Sequence, residues 1–145
     1  MASQNADTFR EAHQAFNRRD FDQFLSKTAE GFTYRDQARN VTFTGREGFR
    51  EFMQSWADAF SNAAVSEPTY LDAGDTVIAQ FMGRGANDGA FGHLPATGRE
   101  IDVPFCEFMR FDDNGQIVSG GIYYDQLTFM TQLGHIEPSA EAAAG

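Results

Sequence analysis

The chain has 145 residues, 41% of them hydrophobic and 14% aromatic, which supports a single domain with a substantial core and excludes disorder for its bulk. A formal net charge of −10 argues against nucleic acid and anionic membrane surfaces as partners, because either would need clustered Lys and Arg. One cysteine, Cys106, leaves no intrachain disulfide to form and suits a reducing, cytoplasmic setting, and no stretch reads as a bilayer span or a signal peptide.

Phe9, Ala12, His13 and Phe16 fall at helical spacing, which predicts a first helix over about 5–18 with His13 packed on its inner face. Asp20 is the expected N-cap of a short second helix. A strand follows in Gly31-Phe32-Thr33-Tyr34-Arg35-Asp36. The clearest helix runs over 44–60. Thr44-x-x-Glu47 has the form of a capping box, and Phe49, Phe52, Met53, Trp56 and Phe60 make one aromatic stripe, first of all a core-packing face.

Beyond residue 63 the pattern becomes β-rich, with two runs split by Ala73-Gly74-Asp75. A Gly- and Pro-rich loop follows, holding Asn87 and His93. Two further strands are joined by Asp113-Asn114-Gly115, with Asn-Gly as the hairpin signal. A short last helix is capped by Asp125 and stopped by Gly134, and residues 137–145 read as a loose tail to a domain spanning 1–136. The class is α+β, with N-terminal helices and an antiparallel meander.

One residue breaks the pattern. Ile101, Val103, Phe105, Glu107, Met109 and Phe111 share one strand face, apolar except for the glutamate. A two-residue Asn114-Gly115 turn sets Glu107 opposite Ile122 and Phe105 opposite Tyr124. No Lys or Arg lies on this face of the hairpin. A carboxylate desolvated there is expected to hold its proton more tightly, which suits a general acid or base. The alternative is a structural ion pair with an arginine from elsewhere, Arg84 or Arg35. Slipping the register by one would instead bury Glu100, Asp102 and Arg110, a worse outcome.

With the hairpin placed, the chain resembles a known family. "GRGANDGAFGHLPATGREI", "EFMRFDDNGQI", "YYDQLTFMTQLG" and "TGREGFREFMQSWADAF" are similar to the glycine loop, hairpin, closing helix and long helix of the SnoaL-like polyketide cyclases, within the nuclear transport factor 2-like superfamily. The resemblance implies a cone: a curved antiparallel sheet, an α+β barrel, wrapped around the N-terminal helices and enclosing one apolar pocket. It also implies a homodimer and chemistry without a cofactor. The aldol-cyclase members carry an acid/base aspartate where this chain has Ile122 and a histidine where it has Glu107, and many relatives carry a glycine-loop histidine where it has Asn87.

The reading that follows is a cofactor-independent acid/base enzyme acting on a small hydrophobic, polyketide- or terpenoid-like molecule. Glu107 is the candidate proton shuttle. Tyr34, Trp56, Phe60, Gln80, Phe105, Ile122 and Tyr124 are the candidate substrate-binding residues, with Asp36, Asn87 and His93 as further candidates. The alternatives are a polyketide hydroxylase or monooxygenase of the same family and a non-catalytic ligand-binding or oligomerisation domain. His13, His93 and His135 have no metal-ligand spacing, so no metal is expected.

Overall fold

In the computed structural model, which describes residues 4–137, helices α1 (Gln4–Asn17) and α2 (Phe21–Leu25) lead into strands β1 (Thr28–Asp36) and β2 (Val41–Thr44). Helix α3 (Gly45–Ala59) follows, then β3 (Ala64–Asp72), β4 (Thr76–Ala86), β5 (Glu100–Phe111), β6 (Ile117–Tyr124) and α4 (Gln126–Leu133). The six strands form one open, curved sheet in the order β2-β1-β6-β5-β4-β3. The inner face carries the core. Phe9 from α1, Phe49 and Met53 from α3 and Phe129 from α4 pack against Val77, Val103 and Met109, all 1% exposed or less.

The expected α+β architecture holds, with one refinement. β1 and β6 pair in parallel, Tyr34 opposite Gly120 and Asp36 opposite Ile122, while the other pairings are antiparallel. The long excursion through α3 and β3–β5 returns the chain beside β1 in the same direction, as a parallel contact requires. Strand β2 has no counterpart in the sequence reading, because four residues between Asn40 and Gly45 are too few for alternation to stand out.

The β5–β6 register is the one read from the sequence, reached by a different turn. Glu107 pairs with Ile122 and Phe105 with Tyr124. The closing bond runs from the Asp112 N–H to the Gln116 carbonyl at 2.9 Å, leaving a three-residue loop with Gly115 at φ 79°. The Asp112 carboxylate accepts the N–H groups of Asn114 and Gln116 at 2.9 and 3.0 Å and stabilises that loop. A bulge between Arg110 and Phe111 then restores the register that a two-residue turn would have set.

The helix ends follow local chemistry, with one exception. Asp20 accepts the Gln23 N–H at 3.2 Å, and Gly134 takes the left-handed conformation that ends α4. Thr44 is the N-cap of α3 by backbone conformation, but its side chain makes no capping bond, so the Thr44–Glu47 capping box does not form. Asp125 accepts the Thr128 N–H at 3.0 Å and its hydroxyl at 2.7 Å. These bonds hold the Asp125 carboxyl below the usual aspartate value. A carboxyl lowered by folding stabilises the native state above its ordinary value and loses that contribution as pH falls through its folded value. Asp125→Ala is therefore expected to speed amide hydrogen exchange in the first turn of α4 at neutral pH. The difference from the wild type should shrink on acidification.

The sequence-based boundary at residue 136 lies within the described residues, whereas the expected tail over 137–145 falls, apart from Glu137, outside them. No helix among the described residues is long and apolar enough to cross a membrane.

Candidate functional site

Glu107 is 4% exposed at the middle of β5, on the concave face. Among the described residues no guanidinium reaches it. Arg84 is held outside by Glu67 at 2.6 Å and Asp102 at 2.7 Å, and Arg35 bonds Thr42 at 2.8 Å. The expectation of a carboxylate with no partner is nonetheless corrected. His13 Nε2 lies 2.6 Å from Glu107 Oε1, and the Tyr34 hydroxyl donates to Oε2. His13 Nδ1 lies 2.7 Å from the Tyr70 hydroxyl. The inner face of α1 is thus the route by which an imidazole reaches a sheet residue 94 positions away. Burial, and next the adjacent Glu107 carboxylate, push the Tyr34 phenol well above the usual tyrosine value, so it keeps its proton and acts as a donor.

Beside these groups lies an apolar cavity of about 70 Å³, measured over positions open to the centre of a water molecule. Glu107 and His13 reach its wall; Phe52, Trp56, Phe60, Phe105 and Ile122 form much of the rest. The aromatic stripe of α3 therefore serves both as core and as cavity lining. The cavity runs out to half-buried Phe16, Ala63, Ala64 and Val65 and exposed Arg84, at the end of α1 and the start of β3. Gly83 makes the fit of one wall possible. A Cβ there would sit 2.3 Å from a Phe105 ring carbon. Gly83→Ala is expected to push the Phe105 ring into the cavity and weaken binding of an aromatic ligand, read by titration calorimetry, with a smaller effect on melting temperature. Gly120, by contrast, leaves no vacancy near Glu107: Met109 and Tyr34 fill the space over it.

A second buried polar cluster adjoins the cavity wall. Asp36 is 0% exposed, pairs with Arg39 Nε at 2.6 Å and accepts the Arg39 N–H at 2.9 Å and the Tyr124 hydroxyl at 3.3 Å. Burial first, and then Asp36, push the Tyr124 phenol well above its usual value. The Arg39 guanidinium lies over Phe91 at 4.8 Å, Trp56 at 5.4 Å, Phe52 at 5.6 Å and Phe43 at 5.8 Å, so a ring box takes the place of water around a cation. Its Nη2 has no hydrogen-bond acceptor and is left to the ring faces. Phe91 brings the 87–98 loop onto Trp56 at 5.0 Å and Phe129 at 5.4 Å.

The other sequence candidates separate. Gln80 is exposed on the outer face, in a groove with Met82, Cys106 and Tyr123, because the inward set of β4 is Val77, Ala79 and Phe81; its expected place at the substrate is corrected. Asn87 is buried but fully used in tying its loop to the end of α3, donating to the Ala59 and Gly89 carbonyls at 3.1 and 2.9 Å and accepting the Thr97 N–H at 2.8 Å. His93 is exposed on that loop, away from the cavity. Among the described residues no three His, Cys, Asp or Glu side chains converge as a metal site.

The family model of the SnoaL-like polyketide cyclases matches residues 6–133. The chain belongs to this family. No curated protein sequence matches it. Among solved structures, a proposed polyketide cyclase from Xanthomonas campestris pv. campestris is 25% identical, with a TM-score of 0.79, over 89% of this chain and 96% of that one. IdmH, a proposed polyketide cyclase from Streptomyces antibioticus, is 24% identical, with a TM-score of 0.78, over 91% and 99%. AclR, a proposed hydroxylase from Streptomyces galilaeus, is 16% identical, with a TM-score of 0.81, over 97% and 87%.

Ile122, where the resemblance to the aldol cyclases implies an aspartate, stands directly across from Glu107 on the inner face. The same resemblance implies a histidine where Glu107 stands, and here α1 brings an imidazole, His13, to that carboxylate. An acid and an imidazole thus still meet beside the cavity, from different elements.

Proposed function

We propose that the chain is an acid/base enzyme of the cyclase, isomerase or hydratase kind, acting without a cofactor on a small, mostly apolar polyketide- or terpenoid-like ketone. One observation carries the reading: a buried carboxylate, bonded to an imidazole and a phenol, borders an apolar cavity. A carboxylate has about four lone-pair sites, and His13 and Tyr34 take two, so acceptor capacity remains for a ligand. Glu107 takes a proton from a carbon beside the ligand's carbonyl and returns it at another atom. Trp56, Phe60, Phe105 and Ile122 hold the rings and exclude water, which strengthens every electrostatic interaction inside. Proton transfer by one placed group supplies about 10²–10⁴-fold, and alignment in the cavity supplies the remainder. Tyr123 and Leu71, 52% and 64% exposed on the outer sheet face, suit a homodimer packed through that face.

The test uses aromatic ketones graded in size, from 2-tetralone to tetracyclic members, incubated with the protein in D₂O. Mass spectrometry is expected to find deuterium entering beside the carbonyl faster than in buffer for at least one of them. No acceleration for any would contradict the reading. Conversion that stops when dioxygen is removed would favour hydroxylase chemistry instead.

A further inference from the structure

The bond from His13 to Tyr70 is not needed to place Glu107, and it leads outward. Tyr70 is half-buried on β3, one of the two edge strands of the sheet. Its ring lies edge-on to Phe9 at 5.6 Å and beneath the Arg10 guanidinium at 5.0 Å. From its hydroxyl, 2.7 Å to His13 Nδ1 and then 2.6 Å from Nε2 to Glu107 Oε1 make a continuous line, which Tyr34 closes on Oε2. We propose that Tyr70 is the proton port of the site: protons pass between solvent and the His13–Glu107 couple along this line rather than through the cavity. The proposal rests on the acid/base reading above.

Counting protons gives the line two complete arrangements. In one, Tyr70 donates to Nδ1, Nε2–H donates to Glu107, and Tyr34 donates to the other carboxylate oxygen; three protons fill three bonds and the net charge is that of one carboxylate. In the other, one proton has been added. Nδ1–H now donates to the Tyr70 oxygen, the Tyr70 O–H turns outward, and the one proton between Nε2 and Oε1 stays in place, so the added charge is shared by His13 and Glu107. The two differ by one proton entering or leaving at Tyr70 and by reversal of the Tyr70–His13 bond; no other bond changes. Tyr34 cannot serve as a port, being 1% exposed. The charged groups near the outer end are Arg10, above the Tyr70 ring, and Asp7, paired with Arg10 at 2.8 Å. Burial, and secondly Glu107, raise the Tyr70 phenol above its usual value while Arg10 opposes them, so Tyr70 works as a hydroxyl throughout. The arrangement answers a need of a sealed apolar site. A ligand that fills the cavity removes the water that would otherwise reset Glu107 between turnovers, and the α1–β3 side stays open to protons.

Tyr70 is thus a positioning and relay residue, tested by the exchange of the His13 Nε2–H with water in ¹⁵N-histidine-labelled protein, the signal being assigned by its loss in His13→Gln. Tyr70→Phe keeps the ring and its packing and is expected to slow this exchange by about 10²-fold. Ala64→Leu, at the cavity mouth, is expected to leave it unchanged. Arg10→Ala, which keeps the hydroxyl and uncovers the ring, is expected to speed it. Exchange unaltered in both Tyr70→Phe and Arg10→Ala, or slowed by Ala64→Leu instead, would overturn the relay. Since none of these measurements needs turnover, a failed relay and a failed acid/base reading give different results.

Discussion

Glu107→Gln is expected to slow deuterium uptake into a bound aromatic ketone by about 10²–10⁴-fold while leaving ketone affinity close to that of the wild type. Glutamine matches the shape of glutamate, and the surrounding groups can adjust to it. Its carbonyl accepts the Tyr34 hydroxyl. Its amide N–H₂ donates to His13 Nε2 once the imidazole takes the other tautomer and turns Nδ1–H toward the Tyr70 oxygen. No buried group loses its partner, so the cavity and its aromatic wall persist. What disappears is the atom that accepts a proton. Mass spectrometry gives the rate and calorimetry the affinity. A drop in affinity as large as the drop in rate would mean that Glu107 holds the ligand rather than moves its proton.

Arg39→Leu is expected to destabilise the fold by about 3–5 kcal/mol, read from the urea midpoint at neutral pH. Asp36 is 0% exposed, and the guanidinium is its cation. Leucine keeps much of the apolar contact with Phe52, Trp56 and Phe91 but leaves a carboxylate in low dielectric with no cation, held only by the backbone N–H of residue 39 and one long bond from Tyr124. Asp36→Asn combined with Arg39→Leu removes that stranded charge and is expected to recover most of the loss, so the two effects are not additive. The loop carrying Phe91 rests on the same guanidinium, and its amides should exchange faster in the single variant.

How far the sequence discloses this molecule differs by kind of feature. Periodicity alone identifies the inner face of β5 and the stripe of α3, because burial on one face imposes a repeat that the residues must follow. The Glu107–Ile122 pairing is legible too, since the alternation admits one register even though the turn that sets it is longer and compensated by a bulge. The partners of Glu107 are not legible in the same way. His13 and Tyr34 lie 94 and 73 positions away, and their meeting depends on how α1 docks across the sheet. One signal was present: a histidine on an apolar helix face needs partners for two ring nitrogens, and Glu107 is an acid on the facing inner surface. Gln80 marks the opposite limit. In β4, Gln80 and Met82 alternate with Phe81 and Gly83, and both sets are mixed enough that composition cannot choose the inner one.

Everything proposed for this site requires that the Glu107 carboxylate meet the ligand. Infrared difference spectroscopy, ketone-bound minus free, tests it most directly, with Glu107→Gln as the subtraction. A carboxylate band is expected to move on ketone binding in the wild type and to be missing from the variant. Identical difference spectra from the two proteins would contradict it.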